Sequence, residues 1–420
     1  MQVRTYVDSE IGKLNGVIIH TPGTELENMT PENAERALYS DILNLSVATE
    51  EYNQLSGVLK KVTSTFEVID LLRDTLEVDI ARRSLISSVS GGIPGLDKRL
   101  DELDNHELAR QLIEGVLISR DSLTKYLSKE KFDLRPLHNF FFTRDSSIVI
   151  NNVVLIGRMA NIVRQREAII MDSIFTHHPS FRTDTFEIGS LEEEGCEKCS
   201  VEGGDVIVVR KDILILGNGC RTTSQGIDRI IKQACARSGG KYHIIVQELP
   251  FSPESFIHLD MVFTMLDRDK YMAFEPLILK KNRFQTVHIE IDNHRVVSIR
   301  DEINIPGALN KLGLEMDPII CGGKDDPWVQ EREQWHSGAN FFAIAPGKLL
   351  GYSRNIYTLE EMSHHGFEIL KATDVISGKT NPDDYKRCVI GIDGSELSRG
   401  GGGARCMTMP VNREPLDNSQ

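Results

Sequence analysis

Cys406 lies near the C-terminal end of the sequence, behind a run of four glycines, Gly400 to Gly403, and then Ala404 and Arg405. Glycine loses more conformational freedom on folding than any other residue, so a run of it belongs where backbone must turn at positive φ or approach another group closely. A thiolate can attack an electron-poor carbon, but it needs an acid–base partner and charged groups to hold the substrate. Residues of those types stand just ahead of short apolar runs: Asn139, Arg144 and Asp145; Glu202 in VEGGD; His258 and Asp260 in HLD; and Arg399 and Arg405 on either side of the glycines. His258 and Asp260 are two apart, so an extended strand would carry both on one side. Histidine can give and take a proton near neutral pH.

These residues recur in one frame. RDSSIVINNVVLIGRM from Arg144, GGDVIVVRKDILILGNGCR from Gly203, HLDMVFTMLDRDKYMAF from His258 and GANFFAIAPGKLLGYSRN from Gly338 each carry an Asp or Asn before an apolar run, a turn and a second apolar run. That is a hairpin pattern. Three second runs end in glycine, at Gly157, Gly217 and Gly351, and LNGVIIHTPG from Leu14 is a weaker fifth copy. Helical stretches such as NIVRQREAIIMDSIF and SQGIDRIIKQACARSG separate some copies. Hairpin and helix repeated five times suggest a closed radial arrangement in which equivalent strand starts meet. Within the frame, Asp205 and Asn340 read as turn caps at strand starts. Residues 71–135 break the pattern. There Leu108, Leu112, Ile113, Val116 and Leu117 follow helical spacing on a charged background, and SVSGGIPGLDK supplies a Gly/Pro break.

Composition narrows the function classes. The 420 residues are 40% hydrophobic and 26% charged, enough for a large core, and the formal net charge of −14 would be repelled by nucleic acid or an anionic membrane surface. No apolar run of about 18 residues and no N-terminal signal pattern are present, so no membrane span is expected. The seven scattered cysteines read as reduced thiols in a cytoplasmic protein. Cys196 and Cys199 form a CxxC, but without a second pair at metal spacing a zinc site is not expected. Phosphate-loop and dinucleotide glycine patterns are missing.

Seven segments in this order, NFFFTRD, VRQRE, VEGGDV, GCRT, HLDM, HSGANFFAIAPGKLLGYSRN and GGGARCMTMP, resemble those of arginine deiminases across nearly the whole chain. The resemblance implies the guanidine-modifying, amidinotransferase-like superfamily. Its fold is a five-bladed pseudo-symmetric α/β propeller of repeated ββαβ modules, with residues 1–70 and 136–420 as catalytic domain and 71–135 as an inserted helical domain. It implies hydrolysis of L-arginine to citrulline and ammonia as the first step of an ATP-yielding arginine catabolism, with no metal and no organic cofactor, in a dimer or tetramer. Cys406 would be the nucleophile that forms a thiouronium intermediate, and His258 the acid and then the base. Glu202 would sit beside His258, and Asp145 and Asp260 would hold the substrate guanidinium. Arg164 and Arg221, with Asn139 nearby, would hold the α-carboxylate, and Phe142 would pack on the aliphatic stem. Some relatives place an arginine inside the glycine run as a gate. Here the choice lies between Arg399 and Arg405, with Arg405 preferred. Agmatine deiminase, a methylarginine hydrolase or an idle arginine sensor are the competing readings.

Overall fold

In the computed structural model the described residues are 3–31, 33–181, 183–188 and 199–416. Among them the strands form five sheets of three to five strands and one two-stranded ribbon, giving a mixed α/β fold. The five sheets share a plan. An antiparallel pair comes first, and a third strand pairs parallel to it after a helical crossover.

Ser147–Ile150 and Val153–Ile156 pair antiparallel, the helix Gln165–His177 follows, and Thr185–Glu187 adds in parallel. Val206–Arg210, Ile213–Asn218, the helix Ser224–Arg237 and Tyr242–Glu248 repeat the plan, and Thr286–Asp292 and Arg295–Glu302 widen that sheet. Phe263–Asp267, Lys270–Ala273 and Asp317–Ile320 form the next sheet. Phe342–Ala345, Lys348–Tyr352, the helix Ile356–His364 and Glu368–Lys371 form another, with Cys388–Ile392 between the last two strands. In the remaining sheet the chain's two ends meet: Leu14–Ile19 pairs antiparallel with Met409–Arg413 and parallel with Ser64–Glu67. A parallel third strand needs a crossover, and the amphipathic helices supply it.

The weak fifth copy at Leu14 is thus a full member of the set, completed by the C-terminal strand that follows Cys406. The three repeat glycines also have a reason. A side chain at Gly157, Gly217 or Gly351 would run into the Asp145 carbonyl, the Asp205 carboxylate or the Phe341 ring, each at the start of its own sheet.

Residues 71–135 are largely helical, with Asp79–Ser90, Leu96–Asp101 and Asn105–Glu114 following Val68–Thr75. The Gly/Pro break falls between two of them as read. The predicted helix does not extend through Val116 and Leu117. Gly115, at φ 92°, stops it, and those two residues pair with Phe132–Leu134 instead. Leu108 and Leu112 share a buried cluster with Val149, Ile174 and Phe175, so this module is packed on the sheet beginning at Ser147.

The segment leading to the glycine run is anchored by the helix Leu45–Val62. Its Asn44 side chain caps the first turn, and Ala48, Tyr52, Leu55 and Leu59 make its buried stripe. From that helix the buried Glu51 carboxylate accepts backbone N–H bonds from Ser395 (2.7 Å), Glu396 (3.1 Å) and Leu397 (2.8 Å). Hydrogen bonds to an ionised group contribute about 1.5–3 kcal/mol each, and their donors would be left buried and unpaired on truncation. Glu51→Ala is therefore expected to cost about 3 kcal/mol in urea denaturation. A loss under about 1 kcal/mol would show that the anchor carries no load.

Candidate active site

The residues singled out in the sequence stand at equivalent places. Asp145, Glu202, Asp260, Asn340 and Cys406 each lie within a few residues of the strand that opens a sheet or, for Cys406, closes one. Hydrogen bonds join these starts in a circuit. Gly203 N donates to Asp145 O (3.0 Å), Leu259 N to the Asp205 carboxylate (2.8 Å), and Asn340 Nδ2 to Asp260 O (3.1 Å). Arg405 N donates to Asn340 Oδ1 (2.9 Å), and Arg144 N returns to Cys406 O (3.1 Å). Five segments far apart in sequence are thereby set around one point.

On one side lies the thiol. Cys406 Sγ is 3.7 Å from Asp260 Oδ2 and accepts from Asn340 Nδ2 at 3.3 Å. Burial, then the Asp260 and Asp145 carboxylates, push its pKa well above the ordinary thiol value. On the other side lies His258. Its Nε2 is 3.0 Å from Glu202 Oε2 and its Nδ1 is 3.7 Å from Asp145 Oδ1. Burial works against a charged imidazole, but Asp145 and the Glu202 hydrogen bond outweigh it and raise His258 to about 9. Glu202 is held down at about 2. Its burial penalty is overcome by Arg221, by His258 and by Arg164, and its Oε1 also accepts from Ala160 N at 3.0 Å. Asp205, buried behind His258, is pushed up to about 7 by its burial. The His258 ring can lie where it does only because residue 204 is glycine, whose added Cβ would stand 2.6 Å from the ring.

Asp145, Glu202 and His258 are close enough to share a metal ion. The imidazolium is already hydrogen-bonded to Glu202 and ion-paired with Asp145, and a protonated imidazole offers no lone pair at the nitrogen facing Glu202. The set fits a proton-transfer site better than a metal centre.

Asp145 and Asp260 are used alike. Arg164 Nη1 donates to Asp145 Oδ2 at 2.7 Å, and Arg405 Nη1 to Asp260 Oδ2 at 2.7 Å. The remaining oxygen of Asp145 has no hydrogen-bond partner, and that of Asp260 is 3.9 Å from the Cys406 sulfur. Each carboxylate is thus paired with a resident arginine on one oxygen while the other faces the space between thiol and imidazole.

Several expectations need correction. Arg405 is no gate. It is 2% exposed, forks onto both Glu10 oxygens (3.2 and 3.0 Å) and donates to Val206 O (2.8 Å), so it is fixed beneath the nucleophile. Arg399 lies at the surface, paired with Asp41 and, at 2.9 Å, with Glu396. Arg164 reaches the guanidinium end of the site, held by Asp145, by Glu167 at 2.8 Å and by Asn139 O at 3.3 Å. Arg221 lies 3.5 Å from Glu202. Asn139 donates to Ala37 O at 2.8 Å, and Phe142 packs under the glycine run. Asn340, read as a turn cap, touches the reactive sulfur. It occupies the frame position of Asp145 and Asp260, and that register was the available signal. Glu10 had none, since it precedes the repeat. Cys199 is disulfide-bonded, against the reading of seven free thiols, while Cys220, Cys235, Cys321, Cys388 and Cys406 are free; Cys196 lies outside the described residues.

Solved structures with this fold include SxtG, an amidinotransferase from Microseira wollei (TM-score 0.55, 12% identity, 99% of each chain). The N-terminal domain of ArgZ, a cyanobacterial arginine dihydrolase, bound to substrate, gives a TM-score of 0.53 at 13% identity over 96% of this chain and 99% of that one. The fold is therefore that of the amidinotransferase-like proteins. The arginine deiminase family profile matches residues 35–413. The arginine deiminase of Oenococcus oeni is 30% identical over 98% of both chains, and that of Listeria monocytogenes serotype 4b is 32% identical over 99% of both. This chain belongs to the arginine deiminase family.

The glycine run can now be tested. Gly401 has φ 83°, while a Cβ at Gly402 would stand 2.5 Å from the Phe142 ring and one at Gly403 2.6 Å from Asn340 Oδ1. Gly403→Ala should displace the amide that contacts the Cys406 sulfur. A fall in kcat of about 100-fold or more is expected, as for loss of a transition-state donor, with the melting temperature little changed. Wild-type kcat in this variant would mean that Asn340 does not serve the thiol.

Proposed function

We propose that this protein hydrolyses L-arginine to L-citrulline and ammonia through a covalent adduct on Cys406. The observation that carries the reading is the arrangement of one thiol, one imidazolium and two half-used carboxylates around a single point. A guanidinium is resonance-stabilised and resists attack by water, so a sulfur nucleophile that divides the reaction in two is the fitting solution.

The substrate guanidinium binds to the free oxygens of Asp145 and Asp260. Its positive charge offsets the two carboxylates that raise the thiol, so substrate itself promotes loss of the Cys406 proton to solvent. The thiolate attacks the guanidinium carbon. His258, charged in the free enzyme, gives its proton to the departing nitrogen, and ammonia leaves. The neutral imidazole then takes a proton from water as that water attacks the thiouronium carbon. Citrulline forms and the Cys406–carbon bond breaks. Glu202 keeps His258 charged for the first half of the cycle. Arg221 receives the α-carboxylate, and Arg164 joins it by turning from Asp145 Oδ2 once the guanidinium on the free oxygen neutralises that carboxylate. Asn139 and Phe142 flank the stem.

The same reading covers the wider architecture. We take the five sheets as blades of a pseudo-symmetric propeller, supported by their shared plan and by the circuit of hydrogen bonds at their starts, with 71–135 inserted between the first and second. No helix among the described residues is long and apolar enough to cross a membrane. Five free cysteines favour the cytoplasm, against the one disulfide at Cys199. The exposed Trp328 and Trp335 beside Phe256 and Phe274 support self-association, which sedimentation of the purified protein would detect as a dimer or tetramer.

Two measurements test the chemistry. Purified protein should release citrulline from L-arginine, release none with Cys406→Ser, and leave agmatine untouched. Turnover of agmatine at a similar rate would remove the carboxylate roles of Arg221 and Arg164. Arginine bound without turnover would favour a sensor.

The second measurement concerns pH. His258 is raised to about 9 from an ordinary value near 6.5, so its contribution to stability is complete below about 6.5 and is lost as pH rises through 9. The melting temperature should fall between about pH 7 and 9.5, and His258→Gln should flatten that slope. An unchanged slope in the variant would mean that His258 is not charged in the free protein.

A further inference from the structure

The buried guanidinium before the nucleophile does more than fill space. We propose that Arg405 is a positioning residue for the reaction: clamped from the N-terminal segment by Glu10, it holds Asp260 so that one carboxylate oxygen is presented to the substrate and the charge beside Cys406 is balanced. The inference rests on the hydrolytic reading of the site and assigns a device within it.

The geometry is a relay of four groups. Glu10 comes from the N-terminal segment, whose backbone N donates to Val208 O at 2.8 Å. Its two oxygens take the Nε and Nη2 of Arg405 (3.2 and 3.0 Å), a two-pronged pairing that fixes the plane of the guanidinium. The third nitrogen, Nη1, then has one direction to point, and it meets Asp260 Oδ2 at 2.7 Å. Asp260 is 0% exposed and lies against the sulfur. Without a partner on Oδ2, this carboxylate could turn either oxygen, or neither, toward the substrate. With it, Oδ1 is committed to the side where the guanidinium must bind.

Charge points the same way. Cys406 is faced by Asp260 and Asp145, both of which disfavour the thiolate, and by Arg405, which favours it. Glu10 is faced by Arg405, Arg144 and Arg413 and is held at about 2 against its burial. Arg144 lies 4.0 Å from Glu10 and donates to the Arg405 carbonyl at 3.3 Å, while Arg413 donates to Gly12 O at 2.7 Å. Glu10 therefore keeps two cations beside it even without Arg405. Asp260 has no other hydrogen-bonded cation among the described residues.

That asymmetry makes the test decisive. A purely structural Arg405 would serve to neutralise Glu10, and removing both charges should then restore everything. A positioning Arg405 serves Asp260, and removing Glu10 cannot replace it. The experiment compares wild type, Arg405→Met, Arg405→Lys and the double variant Arg405→Met/Glu10→Gln. The readings are melting temperature, kcat and KM for L-arginine, and the pH midpoint of Cys406 alkylation by iodoacetamide. The double variant is expected to recover little of the melting temperature lost in Arg405→Met, because Glu10 already keeps Arg144 and Arg413 beside it. Its kcat/KM should stay down about 100-fold or more, with KM raised and the alkylation midpoint moved up by about one pH unit. Arg405→Lys, which keeps the charge but not the fork, should hold the alkylation midpoint and still lose kcat/KM. Recovery of kcat/KM together with stability in the double variant would overturn the proposal, as would an unchanged alkylation midpoint in a folded Arg405→Met. If wild type releases no citrulline, the hydrolytic reading itself fails, and that result is visible before any variant is made.

Discussion

The structure depends on one closure: the strand starts of five sheets are hydrogen-bonded to one another in a circuit, and the last returns to the first. Arg144 N to Cys406 O completes it, while Leu14–Ile19 and Met409–Arg413 complete a sheet from opposite ends of the chain. A reactive group at any one start is then placed relative to the other four by this circuit, in which two links are backbone to backbone and three pass through the buried Asp205 and Asn340 side chains. This is why residues separated by 261 positions, such as Asp145 and Cys406, can belong to one site. It also explains the glycines at 157, 203, 204, 217 and 403. Where backbones converge this closely there is no room for a Cβ, and the entropic cost of glycine is offset by the contacts it admits.

Closure brings a second constraint. Three carboxylates, an imidazole and a thiol are taken out of water together, and a buried charge is costly unless paired and hydrogen-bonded. The protein meets this by giving each carboxylate a resident cation: Arg164 for Asp145, Arg405 for Asp260, His258 and Arg221 for Glu202. The pairing is incomplete by design of the geometry, since one oxygen of Asp145 and one of Asp260 are left for an incoming cation. A site balanced too well would not need its substrate. Here burial and two carboxylates raise the thiol, and a guanidinium set between them would act in the opposite direction.

Much of this was legible in the sequence because it is written in repeats. The hairpin frame, its glycines and its leading acidic residues all recur, and recurrence marks Asp145, Asp205 and Asp260 without any knowledge of distances, while Glu202 and Cys406 stand out by type, beside the second copy and behind the glycine run. Asn340 carried the same mark but was read as a cap, because an amide has no charge to suggest chemistry. What the sequence could not disclose was direction. Arg405 and Arg399 flank the glycine run symmetrically, yet one turns inward onto Glu10 and the other outward onto Asp41. Side-chain direction at a turn follows from backbone angles set by distant packing, and neither residue type nor spacing encodes it. The resting position of Arg164 was hidden for a related reason, since it is set by Glu167, three residues on, and by Asp145.

The placing of Arg405 also changes what the glycine run is for. With no arginine among Gly400 to Gly403, the loop brings no charge of its own over the site. It is anchored on one side by Glu51 through residues 395–397 and on the other by Tyr352, whose hydroxyl donates to Gly402 O at 2.9 Å, and its underside rests on Phe142. Within the run only Gly401 is exposed, while Gly400 is half-buried and Gly402 and Gly403 are buried. The stretch between these two anchors is residues 398–401, held at both ends. Its glycines keep bulky side chains away from the phenyl ring. The cysteine, three residues beyond the last glycine, is tied to the circuit by Arg144 N and Asn340, so its place against Asp260 and Asn340 is fixed by contacts outside the loop.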